Sequence, residues 1–88
     1  MRASITVTTT PTRVAAADAD RDWMIIDNPS DATVYLDLTG ESDAPLTSAN
    51  GLSLASGTKV SFTGTLSRLQ VLAVTATGSK TLVVQGAS

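Results

Sequence analysis

Three aspartates at spacing two, Asp18, Asp20 and Asp22, are the side chains best placed to do chemistry in this sequence. That spacing matches the opening ligands of a calcium loop, in which oxygen donors alternate along the chain. The remainder of such a loop is missing: Trp23 stands where the sharp turn needs glycine, and Pro29 where a bidentate glutamate would close the site. In an extended segment residues two apart project to one side, so the three carboxylates with Asp27 or Asp31 would make no more than a weak surface cation site. A solvated acidic loop bridged by Arg21 is the simpler expectation, with no metal and no other cofactor. The chain has eight acidic residues, and a glycosidase needs only two, about 5–10 Å apart. One Trp, one Tyr and one Phe, however, give little material for a sugar cleft. Serine and threonine are plentiful, but with no His and no Cys a hydroxyl nucleophile has only Lys59 and Lys80 as candidate activators. Enzymatic activity is not expected.

The elements that must carry any other function belong to a single domain spanning residues 1–88, which buries roughly 60–65% of its unfolded surface. A core of that size is commonly supplemented by disulfides, a metal or association, and without cysteine the expectation is association. Net charge is −2, and the six basic residues Arg2, Arg13, Arg21, Lys59, Arg68 and Lys80 are scattered. Nucleic acid, which needs a clustered basic face, is not an expected partner. No run approaches the ~18 apolar residues of a membrane span, so no membrane partner is expected either, and synthesis is placed in the cytoplasm.

Alternation dominates the chain. Ser4–Thr10 sets Ile5 and Val7 against Thr6 and Thr8 and ends at Pro11, which reads as an edge strand. The Ala-rich text of 12–21 reads as a loop. Residues 22–27 are apolar on both faces, and Ala32, Val34, Leu36 and Leu38 alternate with polar residues. The Asn28-Pro29-Ser30-Asp31 turn should join these two strands as a hairpin. Thr39–Gly51, with Gly40, Pro45 and Asn50-Gly51, reads as a long exposed loop. Short strands follow at Leu52–Leu54 and Lys59–Thr63. The segment 66–76 fits a helix or a doubly buried strand, and its Val and Thr content selects strand, paired in a last hairpin with 80–85. These intervals predict an all-β fold, an antiparallel β-sandwich or small barrel of six to seven short strands. The expected core is Val7, Trp23, Ile25, Val34, Leu36, Leu54, Val60, Phe62, Val71, Ala73, Leu82 and Val84.

Contact residues are sought where side chains or edges are left over. Residues 1–11 form an uncharged, hydroxyl-rich edge beyond Arg2, suited to pairing with a partner strand. Tyr35 points away from Val34 and Leu36, whereas a lone Trp in an apolar strand belongs in the core. The candidate interface is Ile5, Val7, Thr9, Tyr35, Leu46 and Asn50.

The order Trp23-Met24-Ile25-Ile26-Asp27-Asn28, Thr33-Val34-Tyr35-Leu36, Asn50-Gly51-Leu52-Ser53-Leu54-Ala55-Ser56-Gly57, Leu72-Ala73-Val74-Thr75-Ala76-Thr77-Gly78 and Leu82-Val83-Val84 resembles the small β-sandwich virion proteins of tailed bacteriophages. The likeness runs from Ile5 to Val84. It implies a capsid decoration (cement) protein on the virion surface, with the major capsid protein as partner, a homotrimeric state and no catalytic residues. The acidic Asp18–Asp22 segment departs from that pattern, which speaks against this loop facing an acidic capsid exterior. A head-fibre or tail-spike module binding host surface glycan is the alternative, disfavoured by the shortage of aromatics beyond Tyr35.

Overall fold

A computed structural model of the chain describes residues 2–38 and 46–87. Eight strands are formed: β1 (Arg2–Val7), β2 (Thr12–Ala15), β3 (Trp23–Asn28), β4 (Val34–Asp37), β5 (Leu52–Leu54), β6 (Thr58–Thr63), β7 (Val71–Thr75) and β8 (Lys80–Ala87). They make two four-stranded sheets, β1-β8-β3-β6 and β2-β7-β4-β5, in which every pairing is antiparallel. The described residues are therefore all-β, with eight strands among them in place of the expected six to seven. This strand order is that of the jelly roll.

The additional strand is β2, which the Ala-rich text concealed. Its register on β7 shifts between Arg13 and Ala15, so one more residue is inserted on β2 than on its partner. Such a bulge breaks the period of two, and Val14 and Ala15 are consequently both buried although adjacent.

Both sheets contribute to one core, with Val7, Met24, Ile26, Leu82 and Val84 from the first and Val14, Val34, Leu36, Leu54, Val71 and Ala73 from the second. Val60 and Phe62 pack against it, part-buried. Two expected core residues are corrected: Trp23 and Ile25 lie on the outer face of β3, half-buried, and it is Met24 and Ile26 that are fully enclosed. Four consecutive apolar residues satisfy either face, so alternation alone does not choose between them. The next two residues hold the missing signal. Asp27 shares a face with Trp23 and Ile25, and a carboxylate is far costlier to bury than the amide of Asn28.

Both expected hairpins are also corrected. β3 belongs to the first sheet and β4 to the second, as β8 and β7 do respectively, so the turns at 28–33 and 76–79 cross between sheets. Consecutive strands share a sheet only at β4 and β5. The proposed strand over 66–76 begins later, because Gly64–Arg68 forms a 3-10 turn that carries the chain from β6 across to β7. Within the first sheet β8 and β3 lie close where Gly86 pairs with Met24. A Cβ on Gly86 of β8 would lie 2.8 Å from the carbonyl oxygen of Trp23 and 2.8 Å from Cδ of Arg21. Gly86→Ala is expected to destabilise the protein by about 1–3 kcal/mol, read as a lower urea midpoint with an unchanged slope.

Candidate functional site

Two knots of polar side chains lie at opposite ends of β3, and both are tied to backbone. At the start of β3, Arg21 is buried to 4% exposure yet faces carbonyls: its Nε donates to the Ser67 carbonyl and its Nη2 to the Leu69 carbonyl at 3.1 Å. Ser67 Oγ returns a bond to the Arg21 carbonyl at 3.0 Å, as does Arg68 Nε at 3.1 Å. The cation that meets the acidic loop is therefore Arg68, whose Nη2 lies 3.2 Å from Asp22 Oδ1, and the expected bridging by Arg21 is corrected. Asp18 Oδ1 accepts the Asp20 N–H at 3.0 Å, an arrangement that holds the loop's own turn. No three of the acidic side chains come together as a metal-binding group among the described residues. Composition concealed the role of Arg21, because a buried arginine satisfied by carbonyls leaves no motif in sequence.

At the far end of β3, Asn28 is fully buried and ties both sheets together. Its Nδ2 donates to the carbonyls of Ala32 at 2.8 Å and Leu54 at 2.9 Å, while its Oδ1 accepts from Ser30 N at 3.1 Å and Ser30 Oγ at 2.6 Å. The Asn28 carbonyl takes the N–H of Gly57 at 2.8 Å, where φ of +73° suits glycine. Beside this corner Lys80 Nζ donates to Asp31 Oδ1 at 2.6 Å. That hydrogen bond, reinforced by the ammonium charge, holds the Asp31 carboxyl below its ordinary 3.8. A depressed carboxyl pKa contributes stability that is present above the unfolded value and lost as pH falls through the folded one, and at an exposed pair the contribution is small. Lys80→Ala should raise the Asp31 titration toward its ordinary value, followed by carbon-detected NMR. An unmoved midpoint would show that the pair does not persist in solution.

The expected contact residues lie as follows. β1 is an edge strand of the first sheet. Ile5 is half-buried toward the core and Val7 fully buried, so these two offer chiefly main chain, whereas Thr9 is exposed beyond the strand. Tyr35 is half-buried on the outer face of the second sheet, across from Ser53 and Val74. Leu46 is buried beside it: a Cβ on Gly51 would lie 2.8 Å from both Leu46 Cδ1 and Tyr35 Cβ. Asn50 is exposed, and its Oδ1 accepts the Thr47 N–H at 2.8 Å. The remainder of the expected contact loop, residues 39–45, lies outside the described residues. Sequence reasoning missed the outer face of the first sheet, where half-buried Trp23 and Ile25 of β3 lie opposite Ala87 and Gln85 of β8, and Asp27 lies opposite Val83. Arg2, Ser4 and Thr6 border it on β1, and Lys59, Ser61 and Thr63 on β6. A half-exposed Trp is a residue type enriched at protein contacts. No family model, curated protein or solved structure matches this chain.

Proposed function

We propose that this protein is a structural virion component, a decoration protein that cements the head of a tailed phage by contacting its major capsid protein as a homo-oligomeric β-sandwich module. The observation that carries this reading is the division of the molecule. Arg21, Asn28, Ser67 and Asp22 are engaged in tying connections, while the features turned outward include the β1 edge, the exposed Leu52 and Leu66, and the half-buried Trp23 and Ile25 on the outer face of the first sheet. Such surfaces make contacts and perform no chemistry. The resemblance to virion proteins adds to this, as does the jelly-roll order, which is found in viral capsid domains among others. Fold order alone does not specify a function. Many weak identical contacts over a shell sum to large stabilisation through multivalency.

The test is thermal disruption of particles made with and without this protein, followed by imaging. Cementing predicts earlier genome release from particles lacking it and its restoration on adding the purified chain. Identical melting and no density on the shell would reject the reading.

Trp23 favours a second reading, because its half-exposed indole supplies an aromatic surface that sequence analysis had assigned to the core. As a fibre or spike module the protein would stack a host glycan there, with Gln85 and Asp27 of the same face as hydrogen-bonding neighbours. Glycan-array binding that disappears in Trp23→Ala would establish this alternative.

A further inference from the structure

Four strands lie at sheet edges, and three of them carry features that deter another strand from pairing. β2 has four residues, a register break and the charged Arg13. β5 has only three residues. β6 is six residues long but includes Lys59. β1 is equally long, pairs with β8 in unbroken register from Arg2 to Val7, and after Arg2 contains neither charge nor proline.

We infer that β1 is a self-association edge: two copies pair antiparallel through β1 about a two-fold axis at Ile5, merging two four-stranded sheets into one of eight strands. The strand matches itself in that register. Ile5 meets Ile5, Ala3 meets Val7 on the core-side face, and the exposed hydroxyls of Ser4 and Thr6 meet each other on the outer face. Each Arg2 falls opposite a Thr8, so no like charges oppose. Affinity comes from main-chain hydrogen bonds, which need no special side chains. The alternative of adding β1 to β6 of a second copy would place Lys59 in the ladder and leave one free edge at each end, an open array unless rotation closes it. A two-fold pair closes by itself, so a trimer cannot be built from β1 pairing alone. This association goes beyond the virion reading and holds whether or not the protein decorates a capsid.

Sedimentation equilibrium over a concentration series tests the pairing on three chains. The unaltered protein should approach twice its 9.0 kDa mass. Ser4→Lys/Thr6→Lys sets ammonium against ammonium twice across the axis and should weaken association about tenfold or more. Ser4→Glu/Thr6→Lys sets carboxylate against ammonium in the same register and should restore the dimer. It also shares the Thr6→Lys change, which separates repulsion from misfolding, and far-UV circular dichroism should be alike in all three. An unaltered chain that stays at 9.0 kDa throughout, a trimer, or equal association of both variants would overturn the inference.

Discussion

Asn28→Asp should be among the most damaging single-atom changes available to this protein, removing about 3–5 kcal/mol at neutral pH from a domain with only about 5–10 kcal/mol in total. The amide donates to two carbonyls, those of Ala32 and Leu54, from a fully buried position. A carboxylate has nothing to donate and would face both oxygens at hydrogen-bond distance. Protonation relieves part of this, since a neutral carboxyl can donate to one of the two. The folded-state pKa of the new carboxyl is therefore raised above its unfolded value of about 3.9. With that sign, the variant is most stable below the unfolded pKa and loses stability as pH rises through the raised one. Urea titrations at pH 4 and pH 7 should show a gap between variant and parent that widens toward neutrality. A gap under about 1 kcal/mol that is equal at both pH values would mean that Asn28 does not hold the corner together.

The second large effect separates the two faces of β3. Met24→Ala and Ile26→Ala should each destabilise by about 2–5 kcal/mol, because each empties a fully enclosed position of the shared core. Ile25→Ala and Trp23→Ala remove side chains of the half-buried outer face and should cost about 1 kcal/mol or less in the isolated protein. Acrylamide should quench Trp23 fluorescence appreciably. The reverse ranking, or a Trp23 shielded in the monomer, would place the core on the other face of the strand. Trp23→Ala should instead register in binding, if the outer face is a contact.

The class of fold was legible in the alternation of Ile5 with Thr6 and of Val34 and Leu36 with Tyr35 and Asp37, because period two is a backbone property that every strand carries locally. The edge character of β1 was legible too, in its lack of charge after Arg2 and in the Pro11 that follows it. Two things were settled only by tertiary structure: that β3 and β4 part into different sheets, and that Arg21 is satisfied by carbonyls from the turn before β7. Each depends on residues distant in sequence. A turn such as Asn28–Asp31 reverses the chain equally well within a sheet or between sheets. Which of the two occurs is decided by whether β6 and β8 occupy the sides of β3 and whether Asn28 finds the Leu54 carbonyl 26 residues away.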